Sequence, residues 1–417
     1  QITGADCFKA LLGWFSSQTA PLADAQSGEH THCVCGGSHQ EIGDHKSADE
    51  KTFTAWNETT SLPTSGAYYL TQNVTISGNV TLTGDVTLCL NGHTVTVSGI
   101  DIKDGGTMTL TDCADQQGTI QGSEGAVTGV LILGSKDSST ASFVMYGGKI
   151  TGFKNAVIAK DYSGFTMYGG SITGNSTNSA AAVSGLTTGT TMSDNKSTIT
   201  MYGGDISNNT GEAGGGVYVG QNCTFTLAGG KISGNKATEN GGGVYMDGTT
   251  FTVSGAAVIK DNKKGTAANN VYLRGNKYIT IDGTLDGGAS IGVTTEKEPA
   301  AGGSVIAIGK DLTAGDAEKF KSDLGGYAVS VNESKNGLLL VKTHRHCLCG
   351  KADCNGRDDH LKQETDFTPW TDALAKAQNG IDKTASNSLP SKEGGKYYLD
   401  TDVTLTETWT PASGTVL

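Results

Sequence analysis

The chain has 417 residues, a formal net charge of −12, 61 Gly, 6 Pro and only 17% charged residues. That acidity, with three Arg in all, disfavours a nucleic-acid or anionic-membrane partner, and no stretch approaches the ~18 apolar residues of a membrane span. Glycine is too abundant for a helical protein and recurs at fixed positions, so it is not flexible linker.

Residues 1–29 read as a leader or as the end of a preceding segment. Phe8 to Phe15 form a short apolar run behind Lys9, suited to a short amphipathic helix. Residues 30–66 carry His30, His32, Cys33, Cys35, His39, Asp44 and His45, followed by Phe53 and Trp56. Pro63 and Gly66 then turn the chain into Tyr68-Tyr69-Leu70. Val74, Ile76, Val80, Leu82, Val86 and Leu88 alternate with polar residues, a period of two that predicts strands.

The stretch from 67 to 304 is dominated by one repeating unit. Its clearest copies are Thr200-Met201-Tyr202-Gly203-Gly204-Asp205-Ile206-Ser207-Asn208-Asn209 and Thr226-Leu227-Ala228-Gly229-Gly230-Lys231-Ile232-Ser233-Gly234-Asn235. The anchors Met145, Met167, Met201, Leu227 and Val253 are separated by 22, 34, 26 and 26 residues. Later copies add Gly214-Gly215-Gly216-Val217-Tyr218 and Gly241-Gly242-Gly243-Val244-Tyr245. A period in this range means stacked units that bury their apolar faces against their neighbours. Three short strands and three turns per unit predict one coil of a parallel β-helix, with the anchors pointing inward. The preference of parallel connections makes it right-handed. Eight residues past the anchors lie Phe153, Asn175, Asn209, Asn235 and Asp261, a ladder in which side-chain amides bond coil to coil. Tyr146, Tyr168 and Tyr202 form one outward row, and Tyr218, Tyr245 and Tyr272 another. Tyr202, Tyr218, Tyr245 and Tyr272 are the candidate ligand-binding residues, because exposed aromatic rows suit sugar rings or a protein partner. Lateral stacking that shields the strands is the other reading of these rows.

The coils resemble the right-handed β-helix of pectate-lyase-like proteins, and the GG-x-I unit with its following Asn is similar to coils of bacterial surface adhesins. The chain beyond them extends the likeness. Residues 305–342 read as a cap, with a helix over Ala314–Leu324 and a hairpin of Tyr327–Val331 with Leu338–Val341. Residues 343–396 repeat the first cluster as His344, His346, Cys347, Cys349, Cys354 and His360, and Cys33 to Phe53 and Cys347 to Phe367 both span 20 residues. Residues 397–417 read as the start of a second, truncated β-helix, expected to be poorly ordered or to pair with an exposed edge, giving head-to-tail self-association. The combination of His-x-His-Cys-x-Cys-Gly with GG-x-I coils resembles repeat modules of large secreted proteins of gut Gram-positive bacteria. That resemblance implies secretion or surface attachment, with a host glycan or host surface protein as partner.

The His/Cys clusters carry the strongest chemical signal. Thiolate and imidazole are the ligands zinc prefers, four in a tetrahedron. His39 follows Cys33 by six residues where Cys354 follows Cys347 by seven, a swap that a zinc site tolerates and packing does not require. The expected cofactor is structural zinc, on Cys33, Cys35 and His45 with His30, His32 or His39 completing the set, and in the second copy on four of His344, His346, Cys347, Cys349, Cys354 and His360; a disulfide or free thiols, and a catalytic metal, are the other readings. Cys89 and Cys113, 24 residues apart, are about one coil from each other and stack as thiols or form a disulfide; Cys7 and Cys223 have no evident partner. The expected function is a non-catalytic adhesin or structural repeat. The alternatives are a passive stalk and, from the fold, a polysaccharide lyase or glycoside hydrolase. A hydrolase needs two carboxylates a few ångströms apart, and Asp205, Asp247, Asp261 and Asp282 are scattered over different coils.

Overall fold

The computed structural model describes residues 29–34, 50–114, 116–135, 140–188, 196–300, 303–332, 334–347, 364–370, 372–379, 387–399, 403–406, 408–413 and 415–417. Its body is a parallel β-helix. Each coil contributes one strand to each of three ladders, so that alternating side chains enter a shared interior.

In the first ladder, Asp85–Cys89, Thr107–Thr111, Ala141–Met145, Ser163–Met167, Thr198–Met201, Thr224–Leu227 and Thr250–Gly255 pair in parallel, in that order. The alternation read from the sequence sets their faces. Phe143, Phe165, Ile199, Phe225 and Phe251 are in register and buried, and so are the anchors Met145, Met167, Met201, Leu227 and Val253. Phe225 and Phe251 stack at 4.8 Å, and Phe143 and Phe165 at 5.4 Å. The second ladder places Val95, Ile120, Ile150, Ile172, Ile206, Ile232, Ile259 and Ile291 in one buried row. The third runs through Ile100, Val130, Val157, Val183, Val217, Val244, Val271 and Val293. Fully burying one such side chain contributes about 1.5–3 kcal/mol, and each coil supplies several.

The glycine pair of the repeat has a packing reason. Gly170, Gly204 and Gly230 have φ of +83°, +82° and +88°, a region that favours glycine. A Cβ on any of them would also stand 2.5–2.7 Å from the terminal methyl of Met145, Met167 or Met201 on the preceding coil. The anchor of one coil therefore packs against the second glycine of the next.

The asparagine ladder runs between coils. The Asn175 backbone N–H and Nδ2 both donate to Asn209 Oδ1 at 3.0 Å; Asn209 does the same to Asn235, and Asn235 to Asn262. Each Nδ2 also reaches a carbonyl one coil back, as Asn209 does at Ile172 O. The ladder continues to Asn270 Oδ1 and ends on the Asp323 carboxylate, which accepts from both Asn270 donors and from Thr294 Oγ1. Two expectations are corrected here. Phe153 only starts the ladder, by donating its N–H to Asn175 Oδ1. Asn262, not Asp261, is the rung, because the coil from Val253 to Ile259 holds one residue more than that from Leu227 to Ile232; Asp261 is exposed at φ +61°.

The end of the helix is closed in two ways. Ser290–Thr295 pairs with the second ladder at Ile291 and with the third at Val293, merging the two. Ser304–Ile308 continues the first ladder in parallel and then pairs antiparallel with Gly337–Lys342, itself paired with Tyr327–Val331. The helix expected over 314–324 stops after Ala314–Ala317, capped by Thr313 and Asp316. Phe320–Ser322 leaves it to lie on Ile291–Val293, because Phe320 extends the buried isoleucine row.

Candidate metal centre

The leading strand, Glu29–Cys33, forms an antiparallel hairpin with Glu50–Trp56. Glu50–Trp56 then pairs in parallel with Gly66–Leu70, and that strand with Asp85–Cys89. The leading segment is thus the beginning of the solenoid's own sheet, not a separate unit. Four strand steps lie between the leading strand and Thr107–Thr111; laid flat they would span ~19 Å. Yet His30 Nε2 lies 3.1 Å from Cys113 Sγ, so the hairpin curls back over the sheet. Ring packing holds it there. His32 stacks on the buried Phe53 with centroids 4.3 Å apart, and His30 stacks on Tyr69 at 4.9 Å.

This brings together His30, His32, Cys89 and Cys113, whose ligand atoms all lie within 4.8 Å of one another. The two histidines come from one strand at positions i and i+2, hence from one face. The two cysteines come from successive coils, with their sulfurs 3.0 Å apart and not joined in a disulfide. The turn bearing Cys113 is fixed by Asp112, whose carboxylate accepts from the Gly92 and Gly118 N–H groups. Burial raises Asp112 above the ordinary carboxylate range despite those bonds.

The donor set suits a metal ion. The His32 ring meets the Cys33 carbonyl through Nδ1 at 2.6 Å, the contact that fixes tautomer and orientation in metal-bound histidines. Its Nε2 is buried without a hydrogen-bond partner, and in the neutral tautomer with the proton on Nδ1 it carries the lone pair that a metal would take. Burial lowers the His32 pKa, but Cys113, the Cys33 carbonyl and Asp112 together raise it above the ordinary histidine value. The hydrogen bond from Cys89 draws the Cys113 thiol well below its usual value; burial opposes this, and His32 and His30 reinforce it. Cys89, the donor of that bond and buried, moves up. One thiolate is thus already favoured. A tetrahedral ion at about 2.0–2.3 Å from its ligands would separate them by about 3.3–3.8 Å, so the His30–Cys113 pair at 3.1 Å needs to open by about 0.4 Å and the sulfurs at 3.0 Å by about 0.8 Å.

The sequence-based ligand set is redistributed. His30 and His32 are in the cluster. Cys33 is not, because the period-two strand turns it to the face opposite His32, where it is buried. Cys35, His39 and His45 lie outside the described residues, as do Cys349, Cys354 and His360. His344–Cys347 is described as a strand only; it pairs with Glu364–Pro369 so that His344 meets Phe367, as His30 meets Phe53. Cys89 and Cys113 stood out in the sequence only for their spacing of one coil. Cys7 lies outside the described residues, and Cys223 is a core thiol whose burial pushes its pKa up to about 12.

The tyrosine rows stack on themselves. Tyr146, Tyr168 and Tyr202 have centroids 4.7 and 5.0 Å apart with nearly parallel rings; Tyr218, Tyr245 and Tyr272 follow at 5.5 and 5.1 Å. Tyr202 therefore belongs to a different row from the other three candidates, and Tyr272, expected outside, is 7% exposed. Burial raises the phenol pKa of Tyr218, Tyr245 and Tyr272. Ring faces within the rows are covered by neighbouring rings. Comparison with family models, curated proteins and solved structures finds no match.

Proposed function

We propose that the chain is part of a non-catalytic, rod-forming repeat protein, secreted or displayed on a cell surface, in which structural zinc fastens the leading hairpin to the first coils. The observation that carries this is the origin of the four ligands: two from the hairpin and two from successive coils. Neutral imidazoles and two thiolates offset the charge of a divalent ion, and N/S donors at this spacing suit zinc. Metal binding would add free energy to that supplied by the packing of Phe53 against the two histidine rings.

The second hairpin supports a tandem arrangement. Trp370 Nε1 donates to Ser388 O at 2.8 Å as Trp56 Nε1 does to Ser61 O at 2.9 Å, and Thr368 pairs with Tyr397 as Thr54 does with Tyr68. Tyr397 N–H donates to Val416 O within the same chain. The carboxylates favour the non-catalytic reading. Asp205 is in register with Ser171 and Lys231, and Asp247 is tied to Arg274 at 2.7 Å.

The test is metal content with proteolysis. Freshly purified protein should hold zinc, and Cys89→Ser with Cys113→Ser should lose it while Cys33→Ser keeps the site in 29–113. Chelation should expose the 29–56 hairpin to protease while the solenoid keeps its strand signal. Metal-free protein whose hairpin is equally protected with and without chelator would refute the reading.

A further inference from the structure

Where the two tyrosine rows cover their inner ring faces by stacking, Tyr278 stands apart. Among the described residues it is the only strongly exposed aromatic side chain, at 45%, and it has no ring neighbour. It follows the turn Arg274–Lys277, closed by the Lys277 N–H on Arg274 O at 3.1 Å. Thr252 pairs with Thr280, and the same register sets Tyr278 beside Thr250, at the end of an outward threonine column that also holds Thr224 and Thr198.

Tyr278 forms one wall of a cleft of about 330 Å³, shared with Thr249, Thr250, Asn276, Lys277 and Thr280. The three hydroxyls, the Asn276 amide and the Lys277 ammonium make no hydrogen bond or ion pair within the described residues. The neighbouring Arg274, by contrast, is bound to Asp247. A second cleft of about 310 Å³ shares Thr280 and reaches Val305, which is 45% exposed. An open aromatic face ringed by uncommitted hydroxyl, amide and ammonium groups has the chemistry that recognises a sugar: the ring covers the C–H face, and the polar groups take its hydroxyls. The Lys277 ammonium, with no ion-pair partner among the described residues, also gives the rim a local cation for an anionic group, against the chain's net charge of −12.

We propose that this cleft is a saccharide-binding site that prefers a sugar bearing a carboxylate, with the second cleft receiving the next residue of an oligosaccharide. The proposal stands apart from the zinc and rod reading. Titrate the full chain with sialyllactose and with lactose, following binding by calorimetry and by saturation transfer to ligand protons. Sialyllactose should bind several-fold more tightly than lactose. Tyr278→Ala should abolish both, Asn276→Ala should weaken both, and Lys277→Met should bring sialyllactose down to the lactose level, all with unchanged circular dichroism. Failure of both sugars to bind at millimolar concentration would overturn the proposal, as would binding that survives Tyr278→Ala. Equal affinity for the two sugars would overturn the carboxylate preference.

Discussion

Replacing Asn235 by Ala tests whether the asparagine ladder holds the coils together. Asn235 Oδ1 accepts from both the Asn209 N–H and Asn209 Nδ2 at 3.0 Å, and its own Nδ2 donates to Ile206 O at 2.8 Å and to Asn262 Oδ1 at 3.0 Å. All three asparagines are fully buried. Alanine leaves two donors on Asn209 unpaired where water cannot reach them. An unsatisfied buried group costs about 1–3 kcal/mol, so the loss should come to about 3–4 kcal/mol. Urea unfolding followed by circular dichroism measures it, with Thr226→Ala on the outward face as reference, expected within about 0.5 kcal/mol of the parent. Asn235→Asp adds a sign. Aspartate keeps the acceptor but turns a charged oxygen toward Asn262 Oδ1, so its folded pKa should exceed the unfolded value. Its stability should then be greatest below the unfolded pKa and fall as pH rises through the folded one. A loss below about 1 kcal/mol in Asn235→Ala, or an Asn235→Asp variant insensitive to pH, would refute the reasoning.

Asp323 is raised by burial despite its bonds to Asn270 and Thr294, so relative to Asp323→Asn the parent should lose stability as pH climbs from about 4 into the raised range, at about 1.4 kcal/mol per unit of difference; matched urea curves across that window check this, and a reversed trend would sink it. Gly230→Ala places a methyl 2.7 Å from Met201 Cε and 2.8 Å from the Gly203 carbonyl carbon at φ +88° and should cost about 2–3 kcal/mol, read as a lower urea midpoint. Phe251→Ala, which removes a buried stacked ring, should cost about 3–5 kcal/mol on the same assay. His30→Ala should lower zinc content as Cys113→Ser does, which elemental analysis settles.

The coils were legible because alternation and recurring glycine pairs are local signals, repeated many times. Met201, Leu227 and Val253 could be placed inside from period two alone. The Asn262 rung was hidden by a single extra residue before Val258, since an offset counted from the anchor cannot see a bulge. The His/Cys cluster was half legible. The His-x-His spacing puts both rings on one face, and because adjacent strand residues face opposite ways Cys33 does not join them in this cluster. Cys89 and Cys113 join the histidines only because the hairpin curls over several strands, a tertiary event with no local signature. The tyrosine rows were visible, but their closure into stacks depends on ring orientation, which spacing does not specify.

The asparagine ladder also bears on how such a chain changes length. Asn209 and Asn235 each present the same acceptor to the coil before and the same donors to the coil after, and Asn262 presents that acceptor too. Residues 224–249 could be excised as one coil, bringing Asn209 directly onto Asn262 with all bonds remade, since Thr198 and Thr250 each pair in the same register with Thr224. Duplication would work equally well in reverse. The cut must fall in whole coils, because a partial one turns apolar side chains outward, and it must leave Asp323 in place, since a carboxylate with no donors of its own can only be the last rung. A solenoid of this kind can thus be lengthened or shortened by recombination between its own coils, with its terminus acting as a fixed stop.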